Sequence, residues 1–529
     1  MRPIDTSTSS FEKLIQRKNL YVDKTALLYQ LVTGSSEYFC SRPRRFGKSL
    51  TLSTLEAIFQ GRRELFKGLA IDSTDYDWKV YPVIHIDFGG CDSSNPQMLE
   101  EWLAGVIQDY ASEYRIELPA MGTAAGRFSR LIDILGKDAP VVVLVDEYEK
   151  VISDHIYDPE VEGMRDVLGD FYQVIKAKES VIRFAFVTGV TKYAKMSIFS
   201  RLNNLTDITM HPRYATLFGY TQEELETNFT DYIYKGVVAT GMGKDTYLAM
   251  LKRQYDGYCF CPGKESVYNP VSIGRFFDAG GESFDNYWID TGGNLQLVMD
   301  VAEKVGFILS RDLGEPLGKS YLGTFDILSL KSPAVTRDEL KSLLEQTGYL
   351  TIAPRTPVGS QLIWLDFPND EVRGAFTVKL LARQGLGSES ELSLLRQEIM
   401  QSAIAGDVPS LAGSIKSLFS QIPYELHLKD ERYYHSVFLS FMMALGAHVE
   451  GEKSVSEGRI DAVLEMPKHL YVIEFKRDKN ARIALNQVLG NHYGDGWKYL
   501  GKKKSIHLIG LDVNTSTRSV DVRQEQIVS

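Results

Sequence analysis

The chain has 529 residues, 44% of them hydrophobic, and that length and apolar content call for several packed domains and exclude a disordered chain. Its net charge of −10 excludes indiscriminate coating of nucleic acid and confines any such contact to local basic surface, while Cys40, Cys91, Cys259 and Cys261 are too scattered for a disulfide framework or a four-thiolate zinc site. No apolar run reaches the roughly 18 residues of a membrane span and Met1 to Ser10 is polar with no secretory signal, so a cytoplasmic protein with buried thiols and no membrane partner is expected.

The first element with chemistry is Tyr38-Phe39-Cys40, a short strand that feeds Ser41-Arg42-Pro43-Arg44-Arg45-Phe46-Gly47-Lys48-Ser49, after which Leu50 to Phe59 has helical apolar spacing. Strand, loop and helix in that order form a phosphate-binding context: N–H groups at the helix start cradle phosphates, Lys48 supplies charge for the β/γ groups, and the Ser49 hydroxyl is placed for Mg²⁺. The first glycine of G-x-x-x-x-G-K-[ST] is replaced by Arg42, so a residue with a side chain must make the turn into the loop. Pro82 to Phe88 reads as a second strand. Pro140 to Glu147 is a continuous apolar run ending in two acids, the pattern of a buried parallel strand. Asp146 there is placed to hold Mg²⁺ through water, and Glu147 to polarise an attacking water. Val181 to Gly189 is a fourth strand carrying Thr188, either a γ-phosphate sensor or plain core. Four such strands alternating with helices predict a doubly wound parallel sheet.

This region resembles an AAA-ATPase-like family found beside nuclease domains in bacterial proteins. The resemblance is carried by Tyr21 to Thr25, Ser41 to Ser49, Leu202 to Ile208, Leu217 to Thr221 and Tyr255 to Tyr258. It implies ATP as cofactor and a loop in which arginines are usual, with Arg44, Arg45, Phe46, Gly47, Lys48, Ser49, Asp146 and Thr188 as the nucleotide-binding set. Arg44, Arg45 and Arg201 are candidate phosphate contacts, although loop arginines as often form surface ion pairs.

Further on, amphipathic helices from Thr221 to about Gly293 suggest a helical lid. Thr336 to Leu344 reads as a helix, and Gly348 to Ile352 with Leu362 to Leu365 as a hairpin, an order reminiscent of a winged helix acting as a connector. The chain shows no repeats, heptads or low-complexity tracts.

Near the C-terminus Asp461 to Glu465 and Leu470 to Lys476 read as strands joined by the turn Met466 to His469. Closing this hairpin sets Glu465 opposite Leu470, Val463 opposite Val472 and Asp461 opposite Glu474, with Cβ atoms roughly 5 Å apart. Alternation puts Lys476 on the face of Glu474 and turns Tyr471, Ile473 and Phe475 into a core. Two opposed carboxylates repel, which a merely solvated face would avoid, whereas a hard divalent ion with waters and a substrate phosphate uses them as ligands. A nearby lysine then orients a bound water or neutralises transition-state charge.

The hairpin resembles the PD-(D/E)XK nuclease superfamily, matched residue by residue at Asp461, Glu474 and Lys476. The resemblance adds Glu431, on a helix Glu431 to Phe441, as a further metal ligand, and Gln487, on a helix Ala481 to Leu489, as a phosphate or metal-water contact. Lys476 to Lys504 holds eight Lys/Arg against Asp478 and Asp495, with Tyr493, Trp497 and Tyr499 interleaved, a composition suited to a nucleic-acid backbone and unstacked bases.

The expected fold class is α/β: a P-loop doubly wound parallel sheet with a helical lid, a mixed α/β middle region and a C-terminal nuclease-like domain. The expected divisions are 1–220 for the ATPase core, 221–299 for the lid, 300–420 for the connector and 421–529 for the nuclease-like domain. The expected activity is ATP hydrolysis coupled to Mg²⁺- or Mn²⁺-dependent cleavage of nucleic acid, DNA by preference, gated by nucleotide; the resemblance implies defence against mobile elements as its setting. The sequence leaves open a homo-oligomer in which an arginine of a neighbouring subunit completes the ATP site; no residue decides it. The alternative is a nucleotide-dependent switch or scaffold that binds nucleic acid or a protein without cutting.

Overall fold

A computed structural model describes residues 1–35, 37–119, 122–192, 204–288, 295–322, 334–420, 438–443, 445, 461–466, 468–490, 504–514 and 519–527. The chain forms two compact units, one made of Met1–Asn294 with Leu317–Asn369, the other of Leu295–Pro316 with Asp370–Ser529.

In the first unit five strands, β1 (Glu37–Ser41), β2 (Val83–Asp87), β3 (Val141–Asp146), β4 (Ile182–Gly189) and β5 (Thr206–Asp207), make an all-parallel sheet in the order β2-β3-β4-β1-β5. Every residue of β1 and β3 is buried, and β3 accordingly reads as a continuous apolar run, whereas β1 carries Glu37 and Ser41 at its ends and shows only Tyr38–Cys40 as apolar. β5 is two residues long and exposed, too short for any periodicity to announce it. Helix Lys48–Phe59 connects β1 to β2 and lies against β2, β3 and β4, while helices Pro96–Glu113, Ala124–Leu135 and Val161–Ala177 pack on one another. Because all strands run parallel, their carboxyl ends gather at one edge, where the loop Arg42–Gly47 and the acids of β3 are delivered together.

Helices Gln222–Asn228, Thr230–Thr240, Lys244–Tyr255 and Pro270–Asp278 form the lid, around a core of Leu225, Phe229, Tyr247, Tyr255, Phe276 and Phe277 among others. Thr221 starts it with a reciprocal capping box to Glu224, whose carboxylate also pairs with Lys24 at 2.6 Å. The middle region supplies short strands β6 (Leu317–Gly318), β7 (Thr351–Ile352), β8 (Leu362–Ile363) and β9 (Leu365–Asp366), in antiparallel pairs β6–β8 and β7–β9. Helix Arg337–Thr347 precedes β7, capped by Thr336 and ended by the left-handed Gly348 at φ +89°.

In the second unit strands β10 (Ala462–Glu465), β11 (His469–Arg477), β12 (Ser505–Asn514) and β13 (Ser519–Ile527) stand in that order, antiparallel, parallel and antiparallel in turn. Helix Ala481–Gly490 makes the crossover to the parallel β12. One face of the sheet buries Tyr471, Ile473, Phe475, Ile509 and Leu511 in a core shared with helices Glu389–Ala405 and Val408–Ser420. The other buries Val463, Leu470, Val472 and Leu508 beneath Leu485 and Val488 of the crossover helix.

Candidate nucleotide and nuclease sites

Gly47 stands at φ +89° as the N-cap of helix Lys48–Phe59, a backbone region that glycine enters without steric cost. A Cβ there would meet nothing within 4 Å, so conformation and not space selects glycine. Arg45 shares the left-handed region at φ +68°, but Arg42, at the position of the missing glycine, does not. The loop therefore turns without a glycine at its start. Arg42 is instead a buried strut: its guanidinium donates to the carbonyls of Ser41 (2.8 Å), Thr209 (2.7 Å) and Tyr214 (3.5 Å) and lies 4.1 Å over the Phe260 ring. Phe46 is buried too, edge-on to Tyr258 and Phe260, and does not line the pocket.

A cavity of about 330 Å³ opens over the loop, lined by Arg44, Arg45, Gly47, Lys48, Ser49 and Glu147. Its remaining wall, which sequence reasoning missed, is the N-terminal segment Ile4–Ser9 together with Tyr220, Phe229 and Val271 of the lid region. Asp5 folds that segment into a turn by accepting from the Ser7 hydroxyl and from the Ser7 and Thr8 amides, and these bonds, the hydroxyl's first, hold its carboxyl below the usual range. Thr6 packs so tightly on the lid that a Cβ at Gly274 would lie 2.3 Å from its methyl.

Lys48 is buried and its ammonium donates to the carbonyls of Arg42 and Pro43, both at 3.0 Å. Burial lowers its pKa, opposed by the charges of Asp146, Glu149 and Glu147. Asp146 is buried and its carboxyl is raised by desolvation, while a hydrogen bond from Ser49 and the charge of Lys48 pull it down. Glu147 leaves β3 at φ +50°, a strained conformation for a side-chain-bearing residue, and its carboxyl is raised by burial and by Asp146. Lys48, Ser49, Asp146 and Glu147 are thus brought together. Thr188 is not: fully buried, it donates to the Cys40 carbonyl at 2.7 Å between β4 and β1. Arg201 lies outside the described residues.

Two further acids belong to this edge. Asp87 pairs in register with Asp146 at the end of β2, and a Cβ at Gly89 would lie 3.3 Å from Glu147 Oε2. Glu149 is buried and its carboxyl is pushed up to about 7 by desolvation. No motif spacing marks either residue.

In the second unit the hairpin has the register Glu465–Leu470, Leu464–Tyr471, Val463–Val472 and Ala462–Ile473, closed by a Met466 amide to His469 carbonyl bond of 2.8 Å. Asp461 lies one residue beyond this ladder, and its Oδ2 accepts the Phe475 amide at 2.7 Å. Glu474 is buried on the opposite face from Phe475, and Lys476 places its ammonium 2.9 Å from Glu474 Oε1. The glutamate already holds one cation. Asp512, in register with Lys476 on β12, is a third acid at this end; burial raises its carboxyl, and it accepts the Lys479 amide at 3.0 Å. Helix Ala481–Gly490 seats on Gly510, the register partner of Glu474, where a Cβ would lie 2.3 Å from the Ala481 carbonyl. Gln487 stands half-buried further along that helix. Glu431, Tyr493, Trp497 and Tyr499 lie outside the described residues, as does all of the expected helix before residue 438. Among the described residues no three His, Cys, Asp or Glu side chains cluster to hold a metal, and no helix is long and apolar enough to cross a membrane.

A family model described as predicted AAA-ATPase matches residues 5–199, and one described as PD-(D/E)XK nuclease superfamily matches residues 429–522. An uncharacterized protein of the vnfD 5′ region of Azotobacter chroococcum mcd 1 is 35% identical over 521 residues, 94% of either chain. The chain belongs to the AAA-ATPase-like family with a C-terminal PD-(D/E)XK nuclease superfamily domain. Both domains are of enzyme families. The solved structure of the Aeropyrum pernix ORC1 protein in complex with DNA is similar over 68% of this chain and 94% of its own, at 14% identity and a TM-score of 0.28, too distant to carry any argument here.

Proposed function

We propose that the first unit binds and hydrolyses ATP and that the second cleaves nucleic acid, DNA by preference, under control of the nucleotide, in defence against mobile elements. Domain roles follow the expected divisions, with the P-loop core and lid serving ATP and the C-terminal region serving cleavage. Lys48 neutralises the β/γ-phosphates once its bonds to the Arg42 and Pro43 carbonyls are exchanged for phosphate oxygens. The Ser49–Asp146 contact is a fit for Mg²⁺, which needs a hydroxyl and a carboxylate at one point beside the phosphates. Glu147, on the pocket wall with Lys48 and Ser49, orients the attacking water.

The observation that carries the cleavage reading is the convergence of Asp461, Glu474 and Lys476 at one end of the hairpin. Glu474 accepts the Lys476 ammonium, a stand-in for the charge of Mg²⁺ or Mn²⁺, and Asp461 is fixed one residue away by the Phe475 amide. When bound, the metal supplies Lewis-acid charge to the scissile phosphate and to a water. Lys476, released from Glu474, remains within reach to neutralise the developing charge or position that water. Incubation of the whole protein with plasmid DNA, single-stranded DNA and RNA, with and without ATP, in Mg²⁺ and then Mn²⁺, tests the reading. Nicking that Glu474→Ala abolishes supports it; no cleavage of any substrate in any combination overturns it.

A further inference from the structure

Glu149 sits two residues beyond the proposed hydrolytic acid, where a helix begins at Lys150. Nothing in its position suggests surface solvation: it is 4% exposed, and burial raises its carboxyl to about 7. Its Oε1 accepts the Val190 amide at 2.6 Å and the Thr191 amide at 3.4 Å, the two residues that follow the last residue of β4. Among the described residues its Oε2 has no hydrogen-bond partner, and it is pressed on Gly189 so closely that a Cβ there would lie 1.8 Å away. Glycine at 189 is thus the space the carboxyl occupies. Tyr148 reinforces the same turn, its hydroxyl donating to the Thr191 carbonyl at 2.7 Å.

The far side of the turn is held by a different element. The Lys192 amide donates to Gln346 Oε1 at 2.7 Å, and Gln346 Nε2 donates to Ser342 Oγ at 3.0 Å, on helix Arg337–Thr347. Ser342 in turn donates to the Tyr321 carbonyl at 2.6 Å. Three consecutive backbone amides, those of Val190, Thr191 and Lys192, are therefore committed to side chains of two separate segments. Buried amides need such partners, and here the partners are not sheet neighbours but two specific side chains.

We propose that Glu149 is a positioning residue: with Gln346 it clamps the turn after β4, so that helix Arg337–Thr347 of the middle region is held in fixed relation to the acids Asp146 and Glu147. The proposal rests on the ATP-hydrolysis reading for its functional consequence, but the clamp itself does not need nucleotide. Glu149 does not line the nucleotide cavity, so its loss should misplace the acids and the turn without removing any contact to ATP.

Amide hydrogen exchange in the nucleotide-free full-length protein reads the clamp directly. Glu149→Ala should accelerate exchange in the peptide covering Val190 and Thr191 at least tenfold, and Glu149→Gln, which retains an acceptor oxygen, should return it to within threefold of wild type. Unchanged exchange in Glu149→Ala overturns the proposal whether or not the protein hydrolyses ATP. In turnover, Glu149→Ala should lower kcat about tenfold with nucleotide Kd within twofold of wild type, and Glu149→Gln should restore it. Equal losses in binding and turnover, or no rescue by Gln, overturn the positioning role. Should Glu149→Ala fail to fold, Gln346→Ala carries the same test from outside the cavity: fast exchange at Lys192 and reduced kcat are expected, and wild-type values for both overturn it.

Discussion

Lys48 shows how a single residue is prepared for a ligand. Its ammonium is buried, lowered in pKa by desolvation, and hydrogen-bonded to two carbonyls of its own loop. Those bonds are the kind that three phosphate oxygens replace with gain, so Lys48→Ala should abolish ATP hydrolysis and weaken nucleotide binding at least tenfold, measured with a fluorescent ATP analogue. Glu147→Gln should keep binding and trap ATP. Arg42 gives the opposite lesson, because the residue that departs from the general P-loop pattern is structural. Restoring the pattern with Arg42→Gly strips the Thr209 and Tyr214 carbonyls of a charged donor and should cost about 3 kcal/mol or more in a denaturation measurement. Glu149 makes a pH-dependent contribution whose sign follows from its environment. Folded, its carboxyl holds a proton up to about 7 against an ordinary 4.5, so between those values the native state binds more protons than the unfolded chain. Its contribution is complete below 4.5 and is lost as pH rises to 7, on the order of 3 kcal/mol. Unfolding free energies of wild type and Glu149→Gln should therefore diverge over that window, with wild type losing stability as pH rises; a constant difference would show that Glu149 is ionised throughout.

At the scale of elements, the hairpin was readable because two periodicities agree. Alternation assigns Tyr471, Ile473 and Phe475 to a core and Glu474 with Lys476 to the other face, and the turn fixes the register, so the observed Val463–Val472 and Glu465–Leu470 pairs are those expected. What alternation cannot supply is the state of Asp461: it ends the ladder and bonds the Phe475 amide instead of merely facing Glu474. Asp461→Ala consequently removes both a ligand and an acceptor, and should abolish cleavage while destabilising the unit by about 1 kcal/mol. Asp461→Asn retains the acceptor and should separate the two effects, losing cleavage with little change in melting. The parallel sheet was legible for a similar reason, since buried strands are continuous apolar runs; β5 was not, being two exposed residues recognised by pairing alone. Long-range partners account for the rest. Glu149, the Ile4–Ser9 wall and the packing of β7 through the Thr351 hydroxyl on Cys259 (2.8 Å from its amide) each depend on residues tens of positions apart, which no local pattern encodes.

For the whole molecule the question is how nucleotide state would reach the cleavage face. The chain crosses between the two units three times, after Asn294, after Pro316 and after Asn369. The last crossing is held within the first unit by the lid's own Tyr255–Tyr258 segment. Asn369 donates to the Asp256 carbonyl at 2.9 Å, and Gly257, at φ +102°, lies so close to Pro368 that a Cβ would stand 1.8 Å from its carbonyl oxygen. Under the gating proposal, a lid that shifted on binding ATP would act on the segment from which the chain leaves the first unit. Coupling of this kind is a difference in ATP affinity between two arrangements, and a tenfold change in cleavage requires about 1.4 kcal/mol of it; tight but indifferent binding would change nothing. Nicking by wild type and Lys48→Ala in ATP, ADP and no nucleotide measures that difference. Gating predicts that wild type responds to nucleotide at least tenfold while Lys48→Ala, its hairpin unaltered, cuts at one rate in all three. Gly257→Ala, which must displace Pro368, should shrink the wild-type response without abolishing ATP binding. Identical rates for every protein and nucleotide would mean that ATP turnover and cleavage proceed independently on one chain.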